Sequence, residues 1–215
     1  MTSKPWHTAP LVALDLEGSG AQDREREAIL ELALVPLVDA SPDLGGAFNA
    51  LVNPGREIRQ ARWISPGLTN EVLSQAPALG DLVDQIAERV DGRWLVGHNI
   101  GVDWRLLDRH APQLRPAGLI DTLRLARGAH LPGRLTLTAI LDQLDLTMTV
   151  HCAVPAGQPH RALWDAAAAA FLLPALIELL WPGTSTSIDN VAVCGSTTSA
   201  NSPYSVDARR QERLF

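Results

Sequence analysis

The stretch Leu11–Gly20, LVALDLEGSG, decides how the rest of the chain is read. Its apolar start reads as a buried strand, yet Asp15 and Glu17 stand two positions apart at its end. Side chains at i and i+2 of a strand share a face, so the two carboxylates point the same way and repel each other. A cation is expected between them.

Working outward, strand-like runs at Leu11–Leu16, Ile29–Val38 and Ala47–Val52 are separated by polar or Gly/Pro-containing connections that suit hairpins. They predict a sheet that begins with three antiparallel strands. From Thr69, which reads as a helix start, the pattern changes, and LGDLVDQIAERV (79–90) has apolar residues at helical spacing. The short strand RWLVGHN (93–99) follows, then a helix in GVDWRLLDRHAP that stops near Pro112. GLIDTLRLARGA (118–129) reads as a strand running into a helix. LTLTAILDQLDL (135–146) and HRALWDAAAAAFLLPALIELL (160–180) are two more helical candidates. The predicted class is α/β, a mixed sheet flanked by helices.

With 215 residues, 46% hydrophobic and 20% charged, the chain suits one globular domain. Residues 1–10 read as an N-terminal extension and 11–181 as the domain. From Pro182 the composition shifts to Gly, Ser, Thr and Asn, so 182–215 reads as a flexible tail. No signal peptide or membrane span is read, because the apolar run Ala166–Trp181 is interrupted by Pro174 and Glu178. A cytoplasmic location and no membrane partner are expected. Cys152 and Cys194 are the two cysteines, in no metal-binding pattern. The formal net charge of −6 opposes broad polyanion binding, so any contact with nucleic acid should be local, metal-assisted or tethered.

Two further acids sit where folding could join them to the first pair. Asp103 follows the strand LVGHN at a helix start, and Asp165 lies five residues after His160. Four gathered carboxylates call for a cation, and hard oxygen ligands suit Mg²⁺ or Mn²⁺. Two such ions can clamp the attacking and leaving oxygens of a phosphodiester. An imidazole such as that of His160 can take a proton from water near neutral pH. On one helix His160 and Asp165 would stand roughly 140° apart, bordering one cleft only if the helix end lies across it. Taken singly, each residue has a plainer explanation: a solvated strand-end acid, a helix N-terminal charge, or, for His98 beside Asn99, a loop-fixing hydrogen bonder.

Together these residues resemble the DEDDh branch of the DnaQ-like 3′-to-5′ exonucleases, a family that includes the epsilon proofreading subunit of bacterial DNA polymerase III. Its first motif is matched by Asp15-Leu16-Glu17, its second by VGHNIGVDWRLL ending on Asp103, and its third by HRALWDA with His160 and Asp165. Glu31 stands where the family commonly has an acid, and WISPGLTNEVLSQAP replaces its usual His-Gly-Ile-Thr segment. The match runs over about residues 11–180. The resemblance implies a ribonuclease-H-like fold, two Mg²⁺ or Mn²⁺ ions on Asp15, Glu17, Asp103 and Asp165, and His160 as general base. Gly18, Ser19, Gly20, His98 and Asn99 are the expected substrate contacts. Ala21 lacks the large apolar side chain that the family presents to the terminal base, and Trp164 is bulkier than the residue often found before the last acid.

The implied substrate is a single-stranded or frayed 3′ end of DNA, in proofreading or repair. An exoribonuclease of the oligoribonuclease or RNase T kind is the alternative, and a noncatalytic binding module is the reading from another class. At the C-terminus, Gln211, Leu214 and Phe215 are similar to the short peptide by which bacterial polymerases and repair proteins bind the β sliding clamp. About 30 linker residues span on the order of 30 Å, enough to tether the domain to a clamp or replicative polymerase.

Overall fold

The computed structural model describes residues 4–20 and 27–195. Six strands form one sheet: β1 (Leu11–Gly18), β2 (Ile29–Val38), β3 (Ser41–Pro42), β4 (Phe48–Leu51), β5 (Trp94–Gly97) and β6 (Gly118–Asp121). The order is β3-β2-β1-β5-β6, with β4 also paired to β2. β1 and β4 run antiparallel to β2, as expected, and β5 and β6 run parallel to β1. The short β3 was not foreseen. Asp39 and Ala40 make its hairpin turn with φ of 47° and 66°, a conformation usually signalled by Asn or Gly.

Alternation along β1 divides the core. Leu11 and Ala13 belong to the cluster that includes Ala166, Ala170 and Leu173, while Val12, Leu14 and Leu16 pack with Ile86 and Leu107. Continuing the first row puts Asp15 and Glu17 on the face covered by the long helix α7 (Ala162–Leu180). The opposite face is covered by α2 (Leu79–Val90) and α3 (Gly101–His110). Between them in the chain are α1 (Asn70–Ser74), α4 (Thr122–Gly128), α5 (Leu137–Gln143) and α6 (Thr147–Ala153). Thr69 caps α1 by accepting from the Val72 N–H, which makes it the helix start that its position suggests.

α7 continues past Pro174. A mid-helix proline costs about 3 kcal/mol or more. Leu172, Leu173 and Leu176 around it are fully buried, each contributing about 1.5–3 kcal/mol, which offsets that cost. Ala166 through Ala170 are all buried as well, and their small side chains let the helix lie close on the sheet. Among the described residues α7 is the one helix long and apolar enough to cross a membrane, and here it is the central core helix.

Both ends of the described chain are packed, contrary to the extension and tail expected from composition. Trp6 is buried, its backbone N–H donates to Thr186 O at 3.1 Å, and Ile188 N–H donates to Lys4 O at 3.0 Å. A helix, α8 (Ile188–Gly195), then buries Ile188, Val191 and Ala192, with contacts to β6 and α4. Those three apolar residues have i, i+3, i+4 spacing, which the surrounding Ser, Thr and Asn residues obscured. Residues 196–215, with Gln211, Leu214 and Phe215, lie outside the described residues.

Candidate active site

β1 brings Asp15 and Glu17 to the sheet end from which the neighbouring parallel strand β5 turns into α3, and α7 starts on the same face as the two acids. Oxygens of Asp15, Glu17 and Asp165 lie within 4.8 Å of one another. Asp103, in the first turn of α3, completes the cluster: its charge raises the pKa of Asp15 more than that of any other neighbouring acid.

Burial and mutual repulsion both disfavour the ionised state. Asp15 is raised well above the usual carboxylate range by burial first, then by Asp103, Asp165 and Glu17. Burial also lifts Asp103 to about 8 and Asp165 to about 7, against hydrogen bonds from backbone amides. Glu17 is raised less freely: burial lifts it, while the Ser65 hydroxyl donates to Oε2 and the charges of His160 and Arg161 lower it. A cluster of this kind holds protons at neutral pH unless a cation replaces them.

Arg161, whose charge reaches Glu17, is committed to another acid. Glu31 lies opposite Glu17 across β1 and β2 and is 1% exposed. Arg161 grips it with both arms of its guanidinium, Nε to Oε2 at 2.7 Å and Nη2 to Oε1 at 2.9 Å, and Ala162 N–H adds a bond at 3.3 Å. The hard oxygen donors and the repulsion left among Asp15, Glu17, Asp103 and Asp165 therefore fit divalent ions.

His160 is exposed and precedes α7, so the helical angle separating it from Asp165 does not apply. Its φ of 65° turns the chain back, and its N–H donates to Asp165 Oδ2 at 3.1 Å. That bond ties the imidazole-bearing residue to a site carboxylate, and the ring is near enough to Glu17 to lower its pKa.

The expected substrate contacts divide. Ser19 is fixed beside the acids, with N–H to Ala28 O and Oγ accepting from Ala28 N–H, each at 2.9 Å. Gly18 follows a register break after Glu17, and Gly20 continues the same turn. His98 instead fixes a loop: its Nε2 bonds Leu135 O at 2.9 Å and its Nδ1 meets Thr122 Oγ1 at 3.1 Å. Burial pushes this histidine down to about 4, so it is neutral at pH 7, and both ring nitrogens are occupied within the protein. Asn99 has φ of 63° and donates its N–H to the buried Asp121, which also caps α4. It borders a cavity of about 750 Å³ along α3 and β6, with Trp104, Arg105, Arg115 and Leu119 in the wall and none of the four site acids.

Two residues escaped the sequence reading. Arg161 had a signal, since a buried Glu31 needs a cation and Arg161 adjoins His160. Ser65 had none, because it reaches Glu17 from an irregular segment 48 positions away.

The RNase_T exonuclease family model matches residues 12–173. The DNA polymerase III subunit epsilon-like protein of Rhodobacter capsulatus is 30% identical over 189 residues, 82% of this chain and 25% of that protein. The chain thus spans a quarter of that relative's length. The DNA polymerase III subunit epsilon of Aquifex aeolicus is 27% identical over 176 residues, covering 79% of this chain and 81% of that one. The fold is similar to Exonuclease X in complex with 5′ overhanging duplex DNA, with a TM-score of 0.62 and 24% identity over 84% of this chain and 98% of the other. The chain belongs to this exonuclease family, in its DEDDh branch.

Proposed function

We propose that the chain hydrolyses phosphodiester bonds at single-stranded or frayed 3′ ends of DNA, working in the 3′-to-5′ direction and releasing nucleoside 5′-monophosphates. The observation that carries this reading is the gathering of Asp15, Glu17 and Asp165 oxygens within 4.8 Å, beside Asp103, while Arg161 is paired with Glu31 instead. The choice of DNA follows the DNA polymerase III relatives.

Asp15, Glu17, Asp103 and Asp165 would hold two ions, Mg²⁺ or Mn²⁺. When bound, such ions supply positive charge to the phosphate oxygens of the reacting group. Ser65 restrains the Glu17 carboxylate, and the Glu31–Arg161 pair anchors the start of α7, so Asp165 and His160 are held on a fixed frame. His160 takes the proton of the attacking water as its oxygen bonds to phosphorus. The bond to the 3′ oxygen breaks, and that oxygen takes a proton from solvent, leaving a shortened strand with a 3′ hydroxyl.

The test is a degradation ladder from a 5′-labelled single-stranded DNA oligomer. Shortening from the 3′ end with Mg²⁺ or Mn²⁺, none with EDTA, and a loss of about 10²- to 10⁴-fold in His160→Ala are expected. Cleavage of RNA but not DNA would overturn the substrate, and cleavage of neither would overturn the activity. Beyond the described residues, Gln211, Leu214 and Phe215 are proposed to anchor the chain on a sliding clamp. A peptide of residues 205–215 that fails to bind purified clamp sinks that part alone.

A further inference from the structure

We propose that Trp63 is the stacking platform for the terminal base of the substrate strand and so sets how tightly a 3′ end is held. This deepens the nuclease reading above and rests on it. Trp63 lies between β4 and α1 and is 43% exposed. Its ring is nevertheless fixed: Nε1 donates to Ser19 O at 3.3 Å. A Cβ built on Gly20 would lie 2.5 Å from Nε1 and 2.9 Å from Cδ1, so the pyrrole edge of the indole rests against that glycine. Gly20 also has φ of 98°, and the tight contact and the backbone both demand glycine there.

The segment carrying this ring is tied once to the acid cluster and once to the Arg161 beside it. Ser65 donates to Glu17, and Pro66 O accepts from Arg161 Nη1 at 3.5 Å. An indole pinned along one edge, partly open to solvent and two residues from a side chain that holds a site carboxylate, is a rigid apolar surface at the mouth of the site.

Charge makes the stacking surface matter. A chain of net charge −6 gains little from general phosphate attraction, and Arg161 is held by Glu31. Single-strand binders combine local cations with aromatic faces, which accept any base because every base has a π-face. Arg59 and Arg62, both exposed, lie on the same segment as Trp63. The expected result is tight holding of the last nucleotide with little preference among bases.

The experiment measures kcat and KM of the full chain, Trp63→Phe and Trp63→Ala on single-stranded DNA ending in a normal nucleotide or in one lacking its base. Trp63→Ala should raise KM about tenfold on the normal end and leave it unchanged on the baseless end, while Trp63→Phe keeps most of the discrimination. The Mn²⁺-induced rise in melting temperature should be the same in all three proteins, since the carboxylates are untouched. An equal loss on both ends, or a Trp63→Phe variant as impaired as Trp63→Ala, would make Trp63 a structural support and overturn the proposal. An unchanged KM in Trp63→Ala would overturn it too. If the wild-type chain cleaves no end at all, the nuclease reading falls and this proposal falls with it.

Discussion

Glu17 and Glu31 face each other across two adjacent strands, and the protein treats them in opposite ways. Glu31 is sealed and given its counter-ion by the chain itself, through a two-armed ion pair with Arg161. Glu17 is left in a cluster with Asp15, Asp103 and Asp165, where burial raises all four and its own charge raises the other three further. The two acids have the same chemistry and nearly the same place in the sheet, so the difference lies in who supplies the cation. An acid paired inside the chain holds the fold, and acids left unpaired wait for something to bind.

The largest expected effect separates the two regions outright. Asp15→Asn should lower metal-dependent hydrolysis by at least about a thousandfold while making the melting temperature of the metal-free protein fall less as pH rises, because one of the buried carboxyls that resist ionisation is removed. A destabilised Asp15→Asn protein would mean that the cluster holds the fold, as Glu31 does. Arg161→Ala should do the reverse and destabilise the chain with or without metal, by about 3 kcal/mol in urea unfolding, since Glu31 is left buried and uncompensated. Unchanged stability there would break the comparison from the other side.

A pH series sharpens it. Carboxyls raised in the folded state contribute stability at pH below their unfolded values, and that contribution is lost as pH rises through the folded values, about 7 for Asp165 and about 8 for Asp103. The metal-free protein should therefore melt at progressively lower temperature from about pH 5 to about pH 8.5. Mn²⁺ should bind more tightly over the same range and cancel the loss, because it takes the place of the departing protons. A melting temperature that rises with pH in the absence of metal would contradict this account. The smallest effect belongs to Ser65→Ala, which frees the Glu17 carboxylate without removing it. A decrease of about tenfold in kcat, with folding stability nearly unchanged, is expected in steady-state assays.

Much of the fold was legible because its signals are local. The apolar runs of β1 and β2, the helical spacing in α2 and the Thr69 cap each appear within a dozen residues. β3 and α8 were missed for local reasons too: Asp39 and Ala40 take a turn usually made by Asn or Gly, and α8 hides its apolar triplet in a polar composition. The four acids and His160 could be picked out by type and order, whereas their proximity could not. His98, offered both as a substrate contact and as a loop-fixing hydrogen bonder, spends both ring nitrogens on the loop at Leu135 and on Thr122.

By itself the sequence determined which acids are candidates for the chemistry and that Asp15 and Glu17 share one face of β1, because strand alternation is a property of the backbone alone. Only the tertiary structure decided which charges are neutralised. Arg161 meets Glu31 across 130 residues, Ser65 meets Glu17 across 48, and Trp63 meets Ser19 across 44. Pairing at such separations depends on how sheet, helix and loop pack against one another, and no local pattern in the chain encodes it.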